Sequence, residues 1–142
     1  MGTMSLNSII LNKLNNIEVE GGNVIHLIKS SDKNFHEFGE AYFSIVKPKF
    51  IKGWKKHTKM FMNLSVVKGK VKFVFCLDDR MKFREETIDS NDFSNILVPP
   101  NIWFAFKGIS KIPSVILNIS NIEHDPSEVK RLELSDIKYN WD

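Results

Sequence analysis

A single cysteine, Cys76, stands among the 142 residues of this sequence, so no intrachain disulfide can form and nothing points to a fold stapled for an oxidising compartment. It lies inside the apolar run 71–77, where a free thiol is a packing residue rather than a nucleophile. No run approaches the ~18 consecutive apolar residues of a membrane-spanning helix, so no membrane segment is expected. The opening Met1-Gly2-Thr3-Met4 has no basic region followed by an apolar stretch and a cleavage site. A signal peptide is therefore not expected and the cytoplasm is the default. The second methionine suggests that residues 1–3 are a cloning remnant. Gly21-Gly22 is too little glycine for a phosphate-cradling loop, and no local Ser/His/Asp or Cys/His nucleophile signature is present.

An excess of one charge sign is also missing. The 20 basic and 17 acidic residues leave a net charge of +3 and are interleaved, with no basic cluster beyond 47–59. That balance suits an anionic small ligand at least as well as nucleic acid, which usually calls for a concentrated basic face.

What is present is the material of one core. The hydrophobic fraction is 42%, with 11 Phe and 3 Trp, which predicts one globular domain over residues 1–142. Strand-like runs recur about every ten residues, at 24–29, 40–46, 50–57, 61–67, 71–77, 83–88, 96–98, 103–106 and 115–119. Turn residues such as Lys47-Pro48, Lys68-Gly69, Asp78-Asp79 and Pro99-Pro100-Asn101 separate them. Many short strands without a long helical period predict an all-β sandwich or barrel. Val67-Lys68-Gly69-Lys70 reads as a tight hairpin. Asp125-Pro126-Ser127-Glu128 offers a capping side chain, a first-turn proline and an acid, so a short C-terminal helix is expected there.

The chemistry-bearing residues gather in "GWKKH", residues 53–57. Alternation places Gly53, Lys55 and His57 on one strand face and Trp54 and Lys56 on the other. On the next run Asn63 and Ser65 share a face, and a buried asparagine must find a partner. If both polar faces point into a barrel, they make one polar patch in an apolar cup, which is the makeup of a ligand site. The plainer alternative is that the lysines are solvated and His57 caps a strand edge. Trp103, Phe104 and Phe106 follow the proline turn, either as core or as a surface on which a base or sugar stacks.

Several stretches in order resemble the dTDP-4-dehydrorhamnose 3,5-epimerase family, the RmlC-like cupins, from about Gly39 to Trp141. They are Gly39-Glu40-Ala41-Tyr42-Phe43-Ser44, Lys52-Gly53-Trp54-Lys55-Lys56-His57, Val67-Lys68-Gly69-Lys70-Val71 and Leu77-Asp78-Asp79-Arg80. Val98-Pro99-Pro100-Asn101-Ile102-Trp103, Phe106-Lys107-Gly108-Ile109-Ser110, His124-Asp125-Pro126 and Tyr139-Asn140-Trp141 continue the series. The resemblance implies a double-stranded β-helix, or jelly-roll barrel, that forms a homodimer and binds a dTDP-linked sugar. It also implies proton removal next to a ketone by a histidine, with a lysine stabilising the enolate.

Carried onto this sequence, the base position holds Lys55, and His57 stands where the family has glutamine. The enolate-stabilising lysine falls at or near Asn63, and the histidine after the proline turn falls on Phe104. The expected reading is thus an epimerase or ketoisomerase of a 4-keto-6-deoxyhexose nucleotide in surface-polysaccharide synthesis. His57 is expected as acid/base, Lys55 at a phosphate or an enolate, and Asn63 at the keto oxygen. Lys52, Trp54, Ser65, Arg80, Trp103, Phe106 and Asn118 complete the expected substrate site. A cupin-type metal site needs a His-x-His pair, a Glu and a later His. Here His57 precedes Thr58-Lys59 while His26, His36 and His124 are distant, so no metal or other cofactor is expected. A catalytically inactive cupin that binds a sugar or nucleotide is the alternative. Nucleic-acid binding rests only on the lysine count.

Overall fold

The structure, a computed structural model, describes residues 5–142; the expected remnant at residues 1–3 lies outside them. Twelve strands are formed: β1 (Ile10–Lys13), β2 (Asn15–Ile17), β3 (Val24–His26), β4 (Glu40–Val46), β5 (Ile51–His57) and β6 (Met62–Lys68), then β7 (Lys70–Cys76), β8 (Phe83–Asp89), β9 (Ser94–Val98), β10 (Trp103–Gly108), β11 (Ser114–Ser120) and β12 (Val129–Arg131). One five-stranded sheet has the order β1-β9-β6-β11-β4, a second the order β12-β5-β10-β7-β8, and β2 pairs with β3 separately. From β4 to β12 the chain alternates between the two large sheets, apart from the β7–β8 hairpin. Such alternation wraps two antiparallel sheets around one interior, as in a jelly roll.

Eight of the nine expected strands coincide with β4 to β11 to within about two residues, the uncertainty of any strand end. The expected strand at 24–29 is confined to Val24–His26, and β1 was not anticipated, because its mostly exposed residues carry no alternating burial. Two other expectations are corrected. Gly69 does turn the chain, with a φ of +82°, and a side chain there would collide with Ser114 Oγ. Yet β6 and β7 do not pair as a hairpin; they enter opposite sheets, because β6 is claimed by β9 and β11 and β7 by β10 and β8. The expected C-terminal helix is one 3-10 turn, Pro126–Glu128, capped by Asp125. It stops there because Val129, Lys130 and Arg131 pair with His57, Lys56 and Lys55 along the edge of β5.

The core has two parts. Met62, Leu64, Val66, Val71, Phe73, Phe75, Ile96, Phe104 and Ile116 pack together between the sheets. Trp54, Val74, Cys76, Trp103, Ala105 and Ile137 form a second cluster on the outer face of the second sheet, packed by Leu132, Tyr139 and Trp141 of the C-terminal segment. Strand β7 is therefore buried on both faces, with its phenylalanines inward and Val74 and Cys76 outward. This arrangement holds β5 between an interior cup and an exterior strap.

Candidate functional site

The site is built on a kink in β5. Lys55 pairs with Phe104 and Lys52 with Phe106, so three residues of β5 span what two span on β10. This β-bulge at Gly53-Trp54 breaks the alternation. Lys52 and Lys55, three apart, consequently line the same cavity between the sheets. The cavity encloses about 120 Å³, walled by Met62, Leu64, Phe73, Phe104, Phe106 and Ile116, with Tyr42, Ser44 and Asn118 as its neutral polar groups. No carboxylate lines it.

Each polar group has a definite setting. Asn118 Nδ2 donates to the Tyr42 hydroxyl at 3.0 Å, and its Oδ1 is buried without a partner among the described residues. Lys52 Nζ reaches Ser44 Oγ at 3.4 Å, a long contact. Lys55 is half-buried and its amine has no hydrogen bond or ion pair among the described residues. Burial, and then the charges of Arg131 and Lys52, lower its pKa from the usual lysine value.

His57 follows Lys55 at the end of the strand and is buried, its ring stacked on Phe104 at 6.0 Å. Its Nδ1 lies 2.6 Å from Glu128 Oε2. The other carboxylate oxygen accepts the amides of Lys59 and Met60 at 3.0 and 2.9 Å. Glu128 is itself 2% exposed. Burial pushes its carboxyl up, but the hydrogen bonds from His57, Met60 and Lys59 together outweigh that and hold it below the usual range. An ionised Glu128 accepts a hydrogen bond from Nδ1–H, which keeps the ring proton on Nδ1 and leaves a lone pair on Nε2. That Nε2 is buried and has no partner among the described residues. Burial also lowers the His57 pKa, against the raising influence of Glu128, so the ring is neutral at neutral pH. An oriented neutral imidazole with a free buried nitrogen is equipped to accept a proton.

The other expected site residues are distributed differently. Phe106 and Asn118 line the cup with Lys52 and Lys55. Trp54 and Trp103 do not, because alternation turns both to the outer cluster. There Trp103 Nε1 donates to Asp78 at 2.9 Å, beside an ion pair of Lys56 with the same carboxylate at 2.8 Å. Asn63 and Ser65 also face away from the cup, since Met62 and Leu64 of the same strand fill it. Their polar groups are absorbed in a chain outside the barrel. Ser65 Oγ donates to Asn95, Asn95 Nδ2 to Asn63, and Asn63 Nδ2 to the Asn34 carbonyl, at 3.1, 2.9 and 3.1 Å. The expected merging of the Lys55/His57 and Asn63/Ser65 faces does not occur, and Asn63 is not placed to touch a keto oxygen in the cup. Arg80 is exposed and donates to the Asp136 carbonyl at 2.9 Å, a tie to the C-terminal segment.

Sequence reasoning missed Glu128 as a partner of His57, and Tyr42 and Ser44 as lining residues. The alternation of Tyr42 and Ser44 in the β4 run was their only signal; a contact 71 residues apart, as for Glu128, leaves none. A larger cavity of about 750 Å³ opens on the outer side, among Lys13, His26, Lys33, His36 and Asn95. Size favours it, but Lys55 lines the cup and His57 stacks on Phe104 of its wall. Cys76 is buried and its thiol is pushed up by burial to about 11, which excludes a thiolate nucleophile at neutral pH. Among the described residues no three His, Cys, Asp or Glu side chains are grouped to hold a metal ion, and no helix is long and apolar enough to cross a membrane.

No protein-family model matches the chain, and no curated protein matches it. Solved structures do. A dTDP sugar isomerase from Desulfovibrio desulfuricans G20 is 28% identical with a TM-score of 0.84, over 94% of this chain and 90% of that one. The sugar 3,4-ketoisomerase QdtA from Thermoanaerobacterium thermosaccharolyticum, in complex with TDP, is 17% identical with a TM-score of 0.78, over 94% and 96%. A dTDP-4-dehydrorhamnose 3,5-epimerase from Bacillus anthracis, with TDP and PPi bound, is 12% identical with a TM-score of 0.82, over 98% and 87%. The fold is shared across all three: the chain has the all-β fold of an RmlC-like cupin.

Proposed function

We propose that this RmlC-like cupin is a nucleotide-sugar isomerase, an epimerase or ketoisomerase acting on a dTDP-linked 4-keto-6-deoxyhexose. The observation that carries the reading is the buried His57–Glu128 pair, with its free Nε2, set against an apolar cup that holds two lysines and no carboxylate. Both reaction types begin by removing a proton next to a ketone, which needs a neutral base and a positive field for the enolate. His57 supplies the first, Lys55 and Lys52 the second. The likeness to enzymes named for dTDP sugars supports this substrate class. A whole small-molecule site measures ~300–1,000 Å³, so a cup of about 120 Å³ takes the sugar and leaves the nucleotide at its mouth.

The protein is read further as one domain that works in the cytoplasm in surface-polysaccharide synthesis, as a homodimer. An outward sheet face bearing Phe43 and Ile45 supports self-association.

The test is deuterium uptake from D2O into dTDP-4-keto-6-deoxyglucose, followed by NMR. Wild-type protein is expected to exchange the hydrogens beside the ketone. His57→Asn is expected to lose about 100-fold or more of that rate, the range of a general base, with dTDP affinity retained. Wild-type protein that binds dTDP but exchanges no hydrogen overturns the enzyme reading in favour of a binding cupin.

A further inference from the structure

We propose that Asn118 and Tyr42 form a hydroxyl-reading pair, through which the cup selects a sugar that carries a free hydroxyl at C2. This rests on the reading of the cup as a site for a 4-keto sugar.

An amide is an unusual occupant of the place that Asn118 holds. It faces inward from β11, two residues beyond Ile116 on the same face, and is 1% exposed. Directly across the ladder stands Tyr42 of β4, whose hydroxyl accepts a hydrogen bond from Asn118 Nδ2 at 3.0 Å. That bond leaves Asn118 Oδ1 buried and without a partner among the described residues. An orphaned buried acceptor costs the free protein stability that an apolar side chain of similar shape would not. The atom is not sealed into packing either. Both residues line the cup, and Tyr42 is 39% exposed, so the pair joins the buried interior to the rim.

The group that satisfies such a pair is narrowly defined. Asn118 Oδ1 accepts, while the Tyr42 hydroxyl, having accepted from Nδ2, still has its own hydrogen to donate. Turning the amide over exchanges the two roles and again leaves one donor beside one acceptor. A hydroxyl both donates and accepts, so a single alcohol group serves both. A ketone or ether oxygen only accepts and a hydrogen or methyl does neither, so each leaves a buried group unpaired. The other polar groups of the cup do not offer this combination. Lys52 and Lys55 only donate when charged, and Ser44 faces Lys52.

Placement selects the hydroxyl. Asn118 and Tyr42 belong to the first sheet and Lys55 to the second, so they approach a ligand from opposite walls. A sugar ring whose C4 keto oxygen turns to Lys55 presents its far edge to the pair. That edge consists of the ring oxygen, C1 and C2, and C1 carries the diphosphate. C2 is then the position with a hydroxyl to offer. It stands two carbons from the ketone, outside the carbons that epimerisation or ketone migration alters. Gripping it orients the ring without binding a group that has to change.

The experiment compares deuterium uptake into dTDP-4-keto-6-deoxyglucose and into dTDP-4-keto-2,6-dideoxyglucose, which keeps the ketone and lacks only the C2 hydroxyl. Wild-type protein is expected to favour the first by at least about 100-fold in kcat/KM, since a site built to bond a substrate hydroxyl rejects the analogue without it. Asn118→Leu is expected to bring the two sugars close to parity, through loss on the hydroxylated one, with a urea midpoint no lower than wild type. Tyr42→Phe, at a partly exposed position outside the core, is expected to weaken the preference as well. Equal exchange of both sugars by wild-type protein overturns the hydroxyl reader while the keto-sugar reading stands. A variant of either residue that keeps the wild-type preference does the same, and a lowered urea midpoint for such an Asn118→Leu protein would assign the amide to the fold. Exchange into neither sugar removes the keto-sugar reading and the C2 assignment with it.

Discussion

Glu128 governs what His57 does. Its carboxylate is fixed by two backbone amides as well as by Nδ1, so it sets both the tautomer and the ring orientation. Glu128→Gln keeps the shape but removes the charge that favours the Nδ1 proton. It is expected to lower the deuterium-exchange rate with little change in dTDP affinity, and to shift the pH profile of the exchange. Glu128→Ala adds a structural penalty of ~1–3 kcal/mol for the buried Met60 amide left without an acceptor, readable as a lower urea midpoint. The pair also makes stability depend on pH. In the unfolded chain the imidazole titrates near 6.5, whereas the fold holds it lower. Below 6.5 the unfolded state binds a proton that the native state refuses, so stability declines as pH falls toward the native value. The lowered Glu128 carboxyl contributes stability above its ordinary value of 4.5, lost as pH falls through its own native value. Thermal melts from pH 8 down to about pH 2 should therefore fall in two stages, and His57→Gln should remove the first. Equal slopes in both proteins would contradict this account.

Among the elements, β5 concentrates function because its two faces have different tasks. Its inner face presents Lys52 and Lys55 to the cup and stacks His57 on Phe104 of the cup wall, while Trp54 anchors the outer cluster under the C-terminal segment. Ile137 is 2% exposed in that cluster, although it belongs to a tail with only one short strand, β12. Ile137→Ala should cost ~2–5 kcal/mol, the range for a large-to-small change in a core, seen as a lower urea midpoint with an unchanged slope. A loss under ~0.5 kcal/mol, typical of surface changes, would mean that the strap is not docked. The strands β4 to β11 were legible because turn residues punctuate apolar runs of similar length. Alternation also separated Lys55 and His57 from Trp54 correctly. It failed where its premise failed. The bulge at Gly53-Trp54 adds a residue that no pattern announces, and it brings Lys52 into the cup. For β6, alternation shows that Asn63 and Met62 lie on opposite faces but not which face is inside, because both are buried. The sequence marks Glu128 only as the first-turn acid of a short helix, since its meeting with His57 depends on β12 joining β5.

For the whole molecule, the outer surface of the first sheet is the feature left unpartnered. Strand β4 is the edge of that sheet, and its Phe43 and Ile45 are 67% and 58% exposed. They stand beside Leu117 and Val115 of β11, which are only half-buried. An apolar patch that also borders an open strand edge invites association, and soluble proteins usually cover such a surface. The other large sheet has no such need, because the C-terminal strap covers its outer face. A second copy of this chain laid on β4 and β11 would hide the patch from water while leaving the strap and the outer side of β5 untouched. Phe43→Asp places a charge in the middle of the patch without touching the interior, since Phe43 points outward. Sedimentation equilibrium is expected to find wild-type protein as a dimer and Phe43→Asp as a folded monomer. A wild-type monomer, or a variant that remains dimeric, would move any self-association to another surface.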